Sequence, residues 1–308
     1  MGRVQYTEIQ CKSAINRVQG MPFKWSLNPY VGCAHSCHYC YARAFYVKAE
    51  RGNGDDDFET RILVKANLPS VLRQQLLKRS WSGESIALGT ATDCYQPAEG
   101  RFRLTRAAID VLRERRNPLG MVTKSPMILR DLDLLAELAR HAPVRVVFTV
   151  TTVDQQLWRI IEPGTANPYQ RLAAVRKLNE VGVRAGVLMA PILPGLTDSV
   201  ASIEAVAAAA TEHGAAFWGA TALRLMPTVK EHYLAFVERQ FPELLERYER
   251  AYPGAYAPRA YTDALNQRLQ RVRERHPLGD VSMRFDADDS DTAAPPLPSG
   301  QLALPLLA

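Results

Sequence analysis

The chain has 308 residues, with 38 Lys and Arg against 32 Asp and Glu for a net charge of +6. Its composition, 47% hydrophobic, 23% charged and 8% aromatic, is that of a globular protein and excludes a fibre or a wholly disordered chain. Five cysteines are too few for a disulfide scaffold, residues 1–18 carry no signal-peptide core, and no uncharged apolar stretch is long enough for a bilayer, so a cytoplasmic protein without a membrane partner is expected.

Residues 1–22 read as an N-terminal extension. Beyond them, short β-branched or apolar runs alternate with longer segments of helical period, the pattern of repeated βα units around a parallel sheet. The first strand is expected at 26–31, leading into three cysteines at 33–40. The RGNGDDD segment, 51–57, is a loop whose acidic run would repel phosphate. A helix over 68–80, with Leu72, Leu76 and Leu77 at helical spacing, precedes a strand at 85–89. Helices over 105–115, 132–140, 169–181 and 199–213 then alternate with strands at 121–123, 144–151, 184–189 and 217–223. Six strands, each followed by a helix, predict an α/β fold, a partial (β/α)6 TIM-like barrel over residues 23–228. A flat doubly wound sheet is the alternative, although no Gly-x-Gly-x-x-Gly follows any strand.

Residues 229–285 alternate in charge and carry Tyr233, Phe236, Phe241, Leu244, Leu245 and Tyr248, which predicts an added helical region packed on the barrel. Residues 286–308, rich in Asp, Ala and Pro, are expected to be a disordered tail. This tail holds four Asp and no Lys or Arg, so residues 1–285 carry +10, a balance compatible with a polyanionic partner.

Functional residues of such a barrel belong at the carboxyl ends of its strands, and the polar clusters 33–40, 90–96, 123–125, 149–152 and 190–198 fall there. The sharpest is Cys33-Ala-His-Ser-Cys37-His-Tyr-Cys40, a C-x3-C-x2-C pattern. Disulfides do not suit a reducing compartment, and three thiols would leave one over. Metal remains. Zinc favours four closed ligands, and His35 or His38 can complete a Cys3His set. A cubane iron–sulfur cluster uses the three thiolates on three irons and leaves the fourth open for an exogenous ligand.

This loop after the first strand, followed by βα units, resembles the radical S-adenosylmethionine superfamily. The stretches FTVTTVDQQLWRIIEP (148–163) and LMAPILPGLTD (188–198) are similar to the subgroup related to spore photoproduct lyase, a DNA-repair enzyme, and the resemblance spans about residues 23–225. It implies a [4Fe-4S] cluster on Cys33, Cys37 and Cys40, S-adenosyl-L-methionine chelated by the open iron, and an electron from a reductant such as flavodoxin or ferredoxin. It further implies a 5′-deoxyadenosyl radical that takes hydrogen from a substrate, with nucleic acid favoured over a peptide or small molecule. Residues 229–308 depart from the lyase's own C-terminal region, so thymine-dimer specificity does not carry over. A non-enzymatic zinc-binding interaction module is the alternative from another class.

The resemblance implies that Tyr39 contacts the adenine and that Lys124 pairs with the methionine carboxylate. Thr92 and Asp93 can reach the cofactor's ribose or amino group, or can simply cap a helix. Thr149 and Thr151, alternate on one strand, can bond the ribose or serve as strand formers. His35, Ser36 and His38 can tune the cluster by hydrogen bonds or merely solvate the loop. Tyr41 is core, or lies near the radical pathway. The lyase subgroup returns hydrogen from a cysteine after the second strand; Cys94 lies nearby but one step off, and a buried bystander thiol is the alternative. Cys11 is expected to be structural. The last residues, with Gln301, Leu302, Leu304 and Leu306, resemble the peptides by which repair proteins bind a bacterial sliding clamp, which would favour DNA as partner.

Overall fold

The computed structural model describes residues 3–280, so the tail with Gln301, Leu302, Leu304 and Leu306 lies outside the described residues. Eleven strands are formed among them: β1 (Gln5–Ile9), β2 (Ile15–Arg17), β3 (Trp25–Leu27), β4 (Tyr30–Val31), β5 (Arg61–Lys65), β6 (Ile86–Leu88), β7 (Leu119–Thr123), β8 (Val144–Thr149), β9 (Arg184–Ile192), β10 (Phe217–Ala222) and β11 (Gly279–Asp280). The main sheet runs β11-β10-β9-β8-β7-β6-β3-β2, and every pair from β3 to β11 is parallel.

This order follows the chain without a switch point. A doubly wound sheet reverses direction midway and carries helices on both faces, whereas sequential right-handed crossovers put all helices on one face and curl the sheet into a barrel. The burial pattern agrees. Leu27, Ile86, Leu88, Met121, Val146, Phe148, Val187 and Met189 join the helices in the large core, while alternate residues Ala87, Val147, Leu188 and Phe217 form a separate inner cluster closed by Phe23. The α/β partial barrel is therefore the fold. The inward register of β8 continues through Val147 to Thr149 and Thr151 at its carboxyl end.

Three differences from the sequence expectation have physical causes. The stretch 26–31 is two strands in two sheets. Pro29 has no N–H to continue a ladder, and after it β4 leaves the barrel to pair antiparallel with β5, on whose far side lies β1. The N-terminal extension is thus built in, since β1 pairs with β5 and β2 extends the barrel edge beside β3. The sheet also gains β11, two residues long and parallel to β10, too short to leave a periodic signal.

The helices Pro227–Gln240 and Leu245–Ala251 cover the carboxyl end of the barrel, whereas Arg259–Arg275 returns to the outer face, where Leu265, Leu269 and Val272 enter the large core. The acidic loop does not stay a loop. Asn53 Oδ1 accepts the backbone N–H groups of Asp55 and Asp57, both at 3.1 Å, and a short helix begins at Asp56. Among the described residues no helix is long and apolar enough to cross a membrane.

If Arg259–Arg275 is part of the barrel wall, Leu265→Ala should cost about 2–5 kcal/mol, read as a lower urea midpoint with an unchanged slope. A loss below about 1 kcal/mol would make that helix a peripheral addition.

Candidate active site

The cysteine loop is shaped by groups from four other segments. Gly32, at φ +83, opens it, and a Cβ there would lie 2.9 Å from the Phe58 carbonyl oxygen. Gln96 accepts from Ala34 N–H at 3.1 Å and donates to Gly32 O at 2.9 Å and to the Thr92 hydroxyl at 2.8 Å. On the opposite side Ile161 O accepts from His38 N–H at 3.2 Å, and Gly164 N–H donates to His35 O at 3.1 Å. Gly164 is required there, because a Cβ would stand 2.5 Å from Ala34 O. Beneath the loop the fully buried Arg43 donates to Cys37 O through Nε and Nη2, to Gly54 O at 2.7 Å, and pairs with Glu59.

Cys33 and Cys37 are buried, Cys40 is half-buried, and all three are free thiols. Burial drives the Cys37 and Cys40 thiols upward, and the charge of Cys33 adds to both; burial also opposes ionisation of Cys33, but His35 outweighs it and lowers that thiol. Among the described residues no three His, Cys, Asp or Glu side chains are gathered tightly enough to hold a single metal ion. Three free thiols in one loop are a donor set that an iron–sulfur cluster can use. Of the two loop histidines only His35 stays with the thiols, beside Cys33. His35 Nδ1 lies 3.3 Å from Asp93 Oδ2, and His38 turns away to stack on Phe236 at 4.1 Å and to meet His232 at 3.4 Å. His232 in turn pairs with Asp55.

Next to the loop, the strand ends carry a connected charge network. The Tyr39 hydroxyl donates to Glu162 and lies 3.1 Å from the Thr151 hydroxyl, which itself donates to Glu162 at 3.1 Å. Glu162 follows a helix, Gln155–Ile161, whose start Asp154 caps by accepting two N–H groups. Its other oxygen meets the buried Arg171 at 2.6 Å, and Arg171 also donates to Thr149 O and to the Thr165 hydroxyl. Burial disfavours the Glu162 anion, but Arg171 and Lys124 outweigh it and hold the carboxyl at about 2. The Lys124 ammonium stands 5.6 Å over the Tyr39 ring. Burial opposes its charge, yet Cys37 and Glu162 raise it.

Tyr39, Lys124, Thr149 and Thr151 thus converge beside the cysteines. Asp93 and Thr92 have other duties. Asp93 accepts from the Thr123 hydroxyl at 2.7 Å, Lys124 N–H at 2.7 Å and Tyr95 N–H at 2.9 Å, and it faces His35. Burial opposes its ionisation, but His35 and these donors pull it well below the usual carboxylate range, while Asp93 and Cys33 raise His35 to about 10 against its burial. With its oxygens so engaged, Asp93 ties β7 to the loop. Thr92 donates to Gly32 O at 2.6 Å, again toward the loop.

Cys94 is fully buried in the large core with its thiol 3.9 Å from Val122 O, the setting of the bystander thiol rather than of a hydrogen donor. Tyr41 is 40% exposed at the rim, its hydroxyl on Thr90 O. Ser36 takes a left-handed turn at φ 53 with its hydroxyl only 3.5 Å from Ala34 O, and Cys11 is half-buried behind Asn67. Arg171, Arg43 and Gln96 escape sequence reasoning. The available signal for Arg171 was Glu162 itself, a carboxylate within an apolar run that needs a buried counter-charge.

The model of the radical SAM superfamily matches residues 27–205, more than half of the chain. An uncharacterised protein of Mycobacterium tuberculosis is 37% identical over 279 residues, covering 89% of this chain and 82% of its own. One of Methanocaldococcus jannaschii is 29% identical over 196 residues, 64% of this chain and 71% of its own. Among solved structures, spore photoproduct lyase complexed with dinucleoside spore photoproduct superposes with a TM-score of 0.67 at 17% identity, over 89% of this chain and 80% of that one. A mutant of that lyase with bound AdoMet and the same dinucleoside gives 0.65 at 16% identity, over 89% and 79%. At those identities the likeness is one of fold. With the family model matched, the chain belongs to the radical SAM superfamily, as an enzyme with a spore photoproduct lyase-like fold.

Proposed function

We propose that this enzyme holds a [4Fe-4S] cluster on Cys33, Cys37 and Cys40, binds S-adenosylmethionine beside it, and acts on a nucleic-acid substrate. The observation that carries the proposal is the Lys124 ammonium, 5.6 Å over the Tyr39 ring and kept charged by Cys37 and Glu162, beside three free thiols. When bound, the cluster and S-adenosylmethionine supply a 5′-deoxyadenosyl radical that takes a hydrogen atom from substrate.

The protein's own part is orientation and charge. Lys124 receives the carboxylate of the methionine moiety. Glu162, kept ionised by Arg171, fixes the Tyr39 hydroxyl and the Thr151 hydroxyl, so the Tyr39 ring keeps one attitude under Lys124. The His35–Asp93 pair locks the first half of the loop to β7, and Arg43 locks the second half from below. The Pro227–Gln240 helix covers the loop with Tyr233, Phe236 and Val237, which limits water near the thiols. Support for nucleic acid comes from the +10 carried by residues 1–285 and from a fold neighbour whose structure holds a dinucleoside.

Two measurements test this. After anaerobic reconstitution the wild type should carry about four irons and four sulfides per chain and form 5′-deoxyadenosine with a reductant. Cys37→Ala should lose both, and Cys11→Ala neither; full iron in Cys37→Ala would defeat the cluster assignment. Lys124→Ala should keep its iron but bind S-adenosylmethionine about 5- to 150-fold more weakly, as loss of one charged contact of about 1–3 kcal/mol implies. An unchanged dissociation constant by calorimetry would remove Lys124 from the cofactor site.

A further inference from the structure

His38 sits between Cys37 and Cys40 in the chain, yet its ring belongs to a second arrangement that leads away from the loop. The Pro227–Gln240 helix presents His232 and Phe236, four residues apart and so on one face, to that ring. Phe236 stacks on it at 4.1 Å. His232 lies nearly parallel, its ring centroid 5.6 Å away and its Nε2 3.4 Å from His38 Nδ1. His232 Nδ1 in turn lies 2.5 Å from Asp55 Oδ1. Asp55 is held in place by its backbone. Asn53 Oδ1 accepts its N–H at 3.1 Å, and the buried Arg43, which also donates to Cys37 O, donates to Asp55 O at 3.3 Å. Gly54 lets this segment close on the helix, since a Cβ there would lie 3.2 Å from the side chains of Thr228 and Val47. The Asp55 carboxylate meets water, whereas the His232 side chain is only 13% exposed.

Chemistry fixes the direction of these bonds. A carboxylate only accepts, so His232 Nδ1 carries a proton toward Asp55. Burial, with Arg43, lowers the His232 imidazolium below its usual range despite Asp55, so the ring is neutral and its Nε2 is an acceptor. The Nδ1–H of His38 donates to it. Packing alone does not call for this chain, because Phe236 already gives His38 an apolar partner. Polar groups set into an otherwise apolar cover add a desolvation cost. What they supply is a fixed orientation of the His38 imidazole and a carboxylate charge linked by hydrogen bonds to the cysteine loop.

We infer that Asp55 and His232 are positioning residues that act through His38 to lower the reduction potential of the cluster carried by the cysteine loop. Iron–sulfur potentials respond to nearby charge and hydrogen bonding, and an added negative charge opposes the uptake of an electron. The inference rests on the cluster assignment proposed above and deepens it. It names two residues outside the cysteine motif, one on the acidic loop and one on the covering helix, that tune the site.

The test uses the full chain with its cluster reconstituted anaerobically. It is titrated at one pH with dithionite, which passes one electron to each cluster, and the reduced form is read by its electron paramagnetic resonance signal. Asp55→Asn keeps the size of the side chain and removes its charge. It should raise the ratio of reduced to oxidised cluster at a given ambient potential about tenfold, the equivalent of about 59 mV for one electron. His232→Phe keeps a ring against His38 but offers no acceptor, and should move the potential in the same direction. His232→Gln, whose amide can donate to Asp55 and accept from His38, should stay near the wild-type potential. Iron content and the dissociation constant for S-adenosylmethionine should be those of the wild type in Asp55→Asn, which shows that the loop is assembled; that variant decides the matter if His232→Phe does not fold. An unchanged potential in Asp55→Asn would overturn the inference and leave the cluster standing, as would a shift in His232→Gln equal to that in His232→Phe. A wild type without iron after reconstitution would defeat the cluster assignment, and this inference with it.

Discussion

One buried carboxylate joins the parts of this site that come from different regions of the chain. Glu162 is 1% exposed and meets Tyr39 from the cysteine loop, Thr151 from the end of β8 and Arg171 from the following helix, while Lys124 from the end of β7 adds its charge. A carboxylate can remain ionised in such a place only with its oxygens paired, and removing one partner of a buried pair usually costs more than the pair contributed to stability. The arrangement specifies geometry rather than strength. Each partner must stay put because Glu162 has nowhere else to place its charge.

The same logic explains why the C-terminal helices cannot be separated from the barrel core. Cys37 and Tyr39 share a hydrophobic cluster with Tyr233, Phe236, Tyr248 and Tyr252, so a boundary at residue 228 cuts through the packing around the cysteine loop. His38 reinforces the joint by stacking on Phe236 and meeting His232, whose ring reaches back to Asp55. The acidic loop before the second helix and the added helices are held to each other through that histidine pair. A loop that must present three thiols in one arrangement is thereby fixed by side chains far apart in sequence.

What the sequence revealed divides along that line. The barrel strands from β6 to β10 and the C-x3-C-x2-C motif were legible because their signals are local: apolar runs of strand length, helical spacing between them, and cysteines within eight residues. Long-range pairings were not. Nothing within residues 26–31 says that Pro29 sends Tyr30 and Val31 to a second sheet, since their partner β5 lies some thirty residues on. Asp93 at a strand end looked like a ligand-facing acid, but three hydrogen bonds and His35 absorb it. Cys94 looked placed for chemistry by its neighbours in sequence, while the turn after β6 buries it in the core. A polar residue at the right strand end is therefore a candidate only until its partners are counted.

Partner counting also separates charge that can act on a ligand from charge that cannot. Arg43 and Arg171 are fully buried near the site, yet their donors are committed to carbonyls and carboxylates, so they serve the fold. Lys124 differs: it stands over the Tyr39 ring where β7 ends, its charge sustained by Cys37 and Glu162. In a partly desolvated mouth a single uncommitted cation exerts more influence on an anion than several on an open surface, because water screens it less. Net charge therefore says little about where an anionic ligand would bind; the position of unspent donors says more. By that criterion Lys124, beside the cysteines, is the cation of this site best placed to act on an anionic group.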